Sequence, residues 1–492
     1  LKNLYYYTTI IEQDAKMIAN QKGDKKMKHV KNRFLFVFLS VLVFTIPHSF
    51  LAAKSESIEA RIMEVIKERV DKYEKRFGIV VGIINQEGSK IISYGKLSKD
   101  GPEVDGDTVF ELCSVTKVFT AILLADMVER GEVDLNDPID KYLPESVKVP
   151  TWNGKKITLF HLATHTSALP NTPKTPSPRD DKPGYVDFSV DQLYDFLSNY
   201  TLTREIGGKY QYSNLGMGLL GHILSLRAGK PYRTLVIERI CRPLGMKSSR
   251  FKLSPALQSR LAQGQYLDGQ VAHKHQIPPL LSGAGGLRST ANDMLKFLAA
   301  NIGLLKSPLY TAMQKTHAGQ KSIKGDELKS GLAWFVIRQE GLHILVHGGE
   351  RPGYRSFIGF DPQKKTGVVV LTNSARIIMD IGFFALTNQL KVFKLGEYKE
   401  PEKVHVDPAA YDSYVGQYQV TPTFIITVTK ENNRLFGQGT AQPRFELFPE
   451  SETKFFLKAV QAKVTFVKDS KGNVIKLIVH SADGEEVGKK IK

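Results

Sequence analysis

Two groups of β-rich runs stand at opposite ends of a long helical stretch, and that placement restricts the fold more than any other feature of the chain. Ile79 to Ile84 and Lys90 to Tyr94 flank the polar loop Gln86-Glu87-Gly88-Ser89 and read as a hairpin. Far downstream come Leu342 to His347, Ser356 to Phe360 and Val368 to Thr372, with Gly and Pro turns between them. Helical patterns fill the interval, among them Val115 to Arg130, ended by Gly131, and Leu215 to Ala228, ended by Gly229. Two more, Ser57 to Lys75 and Ile377 to Val392, lie outside the β groups. One antiparallel sheet built from both groups, closed by the terminal helices and standing beside a helical lobe, satisfies this order. The expected fold class is α/β in the broad sense and α+β in detail.

Pro401 and Pro408 mark a linker over 401–407, after which the chain changes character. Phe424 to Thr429, Leu435 to Gln438, Phe445 to Phe448, Lys454 to Ala459, Ala462 to Val467 and Val474 to His480 alternate like strands. Turns at Asn432-Asn433 and Ser470-Lys471-Gly472-Asn473 separate successive runs. A small all-β, barrel-like domain is predicted over 408–492, behind a larger domain over 54–400. Strand periodicity assigns Phe424, Phe436, Phe445, Phe448, Phe455, Phe456 and Phe466 to its core rather than to a ligand platform.

Residues 1–26 are polar and aperiodic and read as an upstream extension. From Met27 the layout is that of a secretory signal: Lys28, Lys31 and Arg33, an apolar run from Phe34 to Ile46, then Ala52 and Ala53 before Lys54. The apolar run is shorter than the roughly 20 residues of a membrane-spanning helix, so cleavage after Ala53 is the expectation. Leu51 is a poor residue for that cleavage and keeps an uncleaved anchor in view, the one way the chain would touch a membrane. An exported, periplasmic protein follows.

The formal net charge of +18 invites a nucleic-acid reading, but residues 1–53 carry eight Lys/Arg against three Asp/Glu, which is +5 of it, leaving about +13. The remaining cations are scattered and no basic block is interleaved with stacking aromatics, so no nucleic-acid partner is expected. Attraction to anionic cell-envelope polymers is compatible with the charge. Cys113 and Cys241 are expected as buried thiols, because a large core makes a disulfide unnecessary.

The chemistry centres on Ser-x-x-Lys. At a helix start this spacing puts a hydroxyl and an amine on one face, while the helix N-terminus favours an attacking alkoxide. Ser114 and Lys117 fit, and so by spacing alone do Ser93 with Lys96, Ser249 with Lys252, and Ser451 with Lys454. Context selects Ser114: the extended run Thr108 to Leu112 precedes it and the apolar helix Val118 to Leu124 follows, a rigid mount beside a core. The second element is Tyr212-Ser213-Asn214, before the Gly-rich helix that begins near Leu215. A tyrosine near cationic lysines loses its proton more easily and can exchange protons with a serine. Asn214 can donate to a substrate carbonyl and accept from Lys117. Taken alone, the tripeptide also fits a core tyrosine and a helix-capping asparagine. The third element is His347-Gly348-Gly349, at the end of a strand-like run, where glycines let a substrate lie along the strand edge.

Other chemistries lack support. His161 and His165 lie four apart, but no Glu-x-x-His and no third ligand accompany them, and His273 with His275 falls in a loop, so no metal is expected. Neither a Gly-x-Ser-x-Gly elbow nor a phosphate-binding Gly-Lys-Ser/Thr loop is present, and no cofactor is called for.

The order Ser-x-x-Lys, Tyr-x-Asn, then a basic residue with Gly two positions on resembles the class C β-lactamase and penicillin-binding protein family, with its DD-carboxypeptidases, D-amino-acid peptidases and esterases. The resemblance runs from about Ile58 to Leu390 and is reinforced at His161 to Ser167, Pro243-Leu244-Gly245-Met246, Gly285 to Thr290 and Gly331-Leu332-Ala333-Trp334. It implies a serine β-lactamase-like fold in which Ser114 attacks, Lys117 and Tyr212 handle its proton, and Asn214 helps place the substrate amide. His347, Gly348, Gly349 and Glu350 would line the substrate, with the backbone N–H groups of Ser114 and Glu350 as the oxyanion hole. The implied partner is a small molecule or a peptidoglycan peptide: a β-lactam or a D-amino-acid peptide, with esters or D-amino-acid amides as the alternative and a non-catalytic penicillin-binding envelope protein as the third reading. Antibiotic-destroying members usually carry Lys-Thr-Gly where this chain has His347-Gly348-Gly349, and a neutral imidazole binds a carboxylate less well than an ammonium. Lys365-Thr366-Gly367 is set aside as turn chemistry after Asp361-Pro362. The C-terminal domain resembles a small β-domain appended to some members and is expected to narrow the site's mouth or mediate self-association. Oligomeric state is left open.

Overall fold

A computed structural model describes residues 57–491 apart from 74–75, 173–187, 274–276, 340, 389–400, 422–423, 441–443, 461 and 482–483. The upstream extension, the signal segment and His275 lie outside the described residues. Among the described residues no helix is long and apolar enough to cross a membrane.

Ser57 caps the first helix, α1 (Ile58–Asp71), by accepting the Ala60 N–H. The hairpin follows as β1 (Gly78–Asn85) and β2 (Gly88–Gly95). Its turn is tighter than expected, because Asn85 pairs with Gly88 and only Gln86 and Glu87 remain between them. Gly88 takes φ 127°, a conformation closed to most side chains, which is why the chain can reverse so quickly.

The helical lobe includes α2 (Thr116–Glu129) and α3 (Asn214–Ala228), the latter ended by Gly229 in the left-handed region, and α4 (Ala291–Asn301) leads from it back to the sheet. Six strands then run in order: β3 (Lys321–Lys324), β4 (Leu328–Ser330), β5 (Phe335–Gln339), β6 (Leu342–Arg351), β7 (Tyr354–Asp361) and β8 (Thr366–Thr372), before α5 (Met379–Thr387). With the hairpin they make one eight-stranded sheet, ordered β2-β1-β8-β7-β6-β5-β4-β3. Its strand pairings are antiparallel, and Val81 pairs with Val370 across the junction of the two groups.

Both faces of the centre are covered, and the period of two divides the side chains between them. Ile79 and Val81 of β1 and Val368 and Val370 of β8 pack with Ile62, Ile66 and Val70 of α1 and Phe383 of α5. Val80, Val369 and Leu371 face the other way, onto Leu295 and Leu298 of α4 and the helical lobe. Arg69 of α1 and Asp380 of α5 tie the terminal helices together with paired bonds of 2.9 and 2.5 Å.

The C-terminal strands, Gly416–Thr421, Phe424–Glu431, Arg434–Gly439, Arg444–Pro449, Lys454–Leu457, Ala462–Lys468, Val474–Ser481 and Gly484–Lys490, form a closed antiparallel barrel. Closure comes from the first and last strands, through Tyr418 with Lys490 and Gln419 with Lys489. The aromatic assignment needs correcting. Phe455 and Phe466 fill the barrel core, but Leu435 and Leu447 hold the inward positions of their strands, which turns Phe436 and Phe448 outward. There Arg444 stacks on Phe436 at 4.0 Å, and Phe448 meets Phe456 at 5.6 Å. The barrel touches the larger domain where Leu267 N–H donates to the Ala459 carbonyl (3.1 Å) and Tyr266 meets Phe445 edge to face (5.7 Å).

Candidate active site

From Thr108 to Met127 every residue is buried except Ser114. The two-residue strand Phe110–Glu111 pairs with Arg288 and Ser289, and the chain then enters a tight turn, Cys113–Val115, that leads into α2. Cys113 holds φ 52°, a costly conformation for a non-glycine residue and one that over-determined surroundings must impose. Those surroundings are visible. Ser356 Oγ donates to the Leu112 carbonyl (2.7 Å), Thr116 Oγ1 donates to the Cys113 carbonyl (2.7 Å), and β6 presses against the turn. A Cβ on Gly349 would lie 2.3 Å from the Leu112 carbonyl oxygen and 2.3 Å from Ser356 Oγ. Gly349 is therefore a glycine because the strand must seat the Ser114 turn, a demand that comes from the chain itself.

Lys117 is wholly buried, with Nζ 3.1 Å from Ser114 Oγ and donating to the Ala284 carbonyl at 2.7 Å. Burial without a carboxylate partner pushes its pKa well below the ordinary lysine value, so the amine is poised to be neutral and to accept a proton. Tyr212 stands at the same place: its ring centroid lies 4.7 Å from Lys117 Nζ, and Ser114 is close enough to influence its phenol. Here the electrostatic expectation is corrected. Burial raises the Tyr212 pKa, only partly opposed by the neighbouring Ser114 hydroxyl. The phenol stays protonated and can donate.

Asn214 opens α3, where its backbone N–H donates to Asn171 Oδ1 (3.1 Å). Lys117 spends its bonds on Ser114 and on Ala284, so the expected Asn214–Lys117 pair is replaced by a backbone carbonyl 167 residues downstream. His347 sits on β6 with 2% exposure, and its Nδ1 donates to the Gly348 carbonyl (2.7 Å). Burial, with Lys117 nearby, pushes its pKa down to about 3, so it presents a neutral imidazole and no cation. Glu350 pairs with Arg355 at the strand end. The decoy Lys365-Thr366-Gly367 forms the β7–β8 turn, with Lys365 at φ 52°.

The other Ser-x-x-Lys pairs lie apart from this cluster: Ser93 is in β2, Ser451 is at a barrel turn, and Ser249 bonds Ser289 and Asp293 in the core. Both thiols are free and buried; burial raises both, Cys241 up to about 12. Among the described residues no His/Cys/Asp/Glu group is arranged to hold a metal. Sequence reasoning missed the Ala284 carbonyl, whose backbone oxygen leaves no residue-type signature beyond the neighbouring Gly285-Gly286, and the part played by His165 described below.

Known proteins resemble the chain over both of its parts. The beta-lactamase family model matches residues 64–380, and a domain of unknown function (DUF3471) matches 400–491. The D-alanyl-D-alanine-carboxypeptidase/endopeptidase AmpH of Escherichia coli (strain K12) is 31% identical over 334 residues, covering 63% of this chain and 85% of that protein. Penicillin-binding protein 4* of Bacillus subtilis (strain 168) is 28% identical over 426 residues, 78% of this chain and 89% of its own. Among solved structures, D-alanine carboxypeptidase AmpC from Burkholderia cenocepacia superposes with a TM-score of 0.57 at 25% identity, over 68% of this chain and 99% of that one. With the sheet, the helical lobe and the Ser114–Lys117–Tyr212 cluster in place, the chain belongs to the beta-lactamase family of serine hydrolases.

Proposed function

We propose that Ser114 is the nucleophile of an acyl-transfer hydrolase acting on D-amino-acid peptides of the D-alanyl-D-alanine type, with β-lactams as mimics that acylate the same serine. The observation that carries this reading is the single cluster of a half-exposed serine, a buried lysine poised to be neutral and a protonated tyrosine. Lys117 takes the Ser114 proton as Oγ bonds to the substrate carbonyl carbon. Tyr212 gives its proton to the departing nitrogen as the C–N bond breaks, and is reprotonated from Lys117. Water then attacks the ester, its proton passing to the same pair, and the acid leaves as Ser114 regains its hydrogen. Backbone N–H groups of Ser114 and Glu350 hold the oxyanion, and Asn214, His347 and Gly348 border the substrate.

A second reading, small esters or D-amino-acid amides without a carboxylate, is favoured by the neutral, buried His347, which offers no cation to an anionic substrate. Turnover of a D-Ala-D-Ala peptide, a chromogenic cephalosporin and a short acyl ester separates the two. Peptide hydrolysis with a covalent penicillin adduct is expected, ester turnover alone would favour the second reading, and no Ser114-dependent adduct with any penicillin or activated ester would leave a non-catalytic binding protein.

The secretory layout of residues 27–53 supports action outside the cytoplasm. The barrel seats on the 265–271 hairpin, whose chain continues to Ala284, and this supports a role for it in bounding the site. Deleting residues 404–492 should then widen the substrate range; unchanged range and unchanged oligomeric mass would sink both expected roles of the domain.

A further inference from the structure

Tyr212 is held by one residue from three directions. His165, 1% exposed, accepts the Gln211 N–H on its carbonyl (2.8 Å) and the Ser213 N–H on Nδ1 (3.1 Å). Its ring lies 4.6 Å from the Tyr212 ring, inclined by 31°. The backbone N–H groups of the two residues that flank Tyr212, and a face of its phenol ring, are therefore held by the same side chain and its backbone.

This arrangement is unfavourable for His165 itself. Its φ is 57°, a conformation that glycine adopts freely and histidine does not. Because Ser213 donates to Nδ1, the ring proton belongs on Nε2, and that buried donor has no partner among the described residues. Buried groups left unpaired in this way call for an explanation. If the loop needed only to turn, a glycine would serve with neither cost. What the imidazole adds is the Nδ1 acceptor, spent on the residue that follows Tyr212, and a ring that lies against the Tyr212 ring while its edge meets Tyr210 (5.6 Å). Burial, with Lys117 and His347 nearby, keeps the imidazole neutral, which preserves the lone pair on Nδ1.

We propose that His165 is a positioning residue for Tyr212, bracketing it so that its hydroxyl stays aimed at Ser114 and at the departing group of the substrate. The inference rests on the proposed role of Tyr212 as proton donor. It makes a specific demand: a poor leaving group, which needs the Tyr212 proton, should depend on His165 far more than a good one.

Two variants test it. His165→Gly relieves the backbone and removes both acceptor and ring; His165→Asn tolerates the left-handed conformation and keeps an oxygen near the position of Nδ1. With the full chain, His165→Gly should lower kcat for the D-Ala-D-Ala peptide about 100-fold with KM within about threefold, while p-nitrophenyl acetate, whose leaving group needs no proton, should slow less than about fivefold. His165→Asn should recover the peptide rate to within about tenfold of the original, with melting temperatures of both variants close to the parent's. Equal losses on both substrates, or an Asn variant no faster than the Gly variant, would overturn the proposal. A crystal structure of His165→Gly gives a readout without turnover: a displaced Tyr212 ring is expected, and an unmoved one overturns the inference even where the parent hydrolyses neither substrate. Failure of the functional reading is recognised separately, by parent turnover that survives Ser114→Ala.

Discussion

Ser114→Ala leaves no acyl adduct, and Lys117→Met slows acylation by on the order of 10³-fold, in the range that a lost general base costs. Methionine keeps the length and burial of the side chain and removes only the nitrogen that faces Ser114 Oγ at 3.1 Å. The pH profile carries the same information with a definite sign. With Lys117 as the proposed general base the free amine is the working form, so the rate should fall as pH drops through a pKa that burial sets well below the ordinary lysine value. On the alkaline side the plateau should extend past the ordinary tyrosine range, because burial holds the Tyr212 proton. The same burial has a cost in stability. Between the depressed folded pKa and the unfolded value the unfolded chain binds a proton that the folded chain does not, so burying Lys117 weighs against folding at neutral pH and less so as pH rises toward 10.5. Lys117→Met should therefore melt no lower than the parent while being nearly inert. Stopped-flow acylation by an activated ester, from pH 5 to 10, and thermal denaturation check both; an acylation rate near the parent's would remove Lys117 from the mechanism.

Asp380→Ala should cost about 3 kcal/mol of stability, read as a lowered urea midpoint for the larger domain. Asp380 is almost fully buried, and its two oxygens meet both terminal nitrogens of Arg69, one of which also donates to the Ile377 carbonyl (2.8 Å). Burial works against the Arg69 charge, and the bonds to Asp380 outweigh it. Removing the carboxylate leaves a largely enclosed guanidinium with one carbonyl, whereas removing both charges with a volume-matched apolar pair should recover much of the loss. A midpoint shift in Asp380→Ala no larger than that of an exposed surface pair such as Lys156–Asp140 would show that the helix tie is incidental.

The centre of the sheet was legible because β1 and β8 are apolar on both faces, as strands covered on both sides must be. β5, Phe-Val-Ile-Arg-Gln, was passed over because three consecutive apolar residues are too short a run to read, and the other strands of the sheet that sequence reasoning passed over lie where apolar pressure is absent. β3 reads Lys-Ser-Ile-Lys and β4 Leu-Lys-Ser, at the sheet edge, where charge is tolerated and discourages further pairing. Gly416–Thr421 and Gly484–Lys490, which close the barrel, are polar for the most part, so an open half-barrel could not be told from a closed one by pattern. Phe436 and Phe448 misled because aromatic side chains on an outward face look the same, in sequence, as those of a core.

Within the candidate site, residue types and spacing singled out Ser114, Lys117 and Tyr212, since side-chain chemistry is written in the sequence, and the fold brings the three together. What escaped was set by burial and by backbone atoms: the direction of the Tyr212 shift, the Ala284 carbonyl that displaced Asn214 as the partner of Lys117, and the reason for Gly349. The neutral imidazole already read for His347 from its residue type agrees with the same enclosure, which lowers its pKa.

The junction between β1 and β8 also bears on how the molecule is made. Val81 finds Val370 only after about 290 further residues have been added. At cellular elongation speeds of 5–20 residues per second, that is a wait of roughly 15–60 s. Throughout it the nascent hairpin offers one edge of β1 unpaired, with apolar side chains on both of its faces. A ribosome stalled inside the helical lobe would release a chain that holds Ser114 and Lys117 but not the strand pair that seats their turn, and such a fragment should aggregate rather than react.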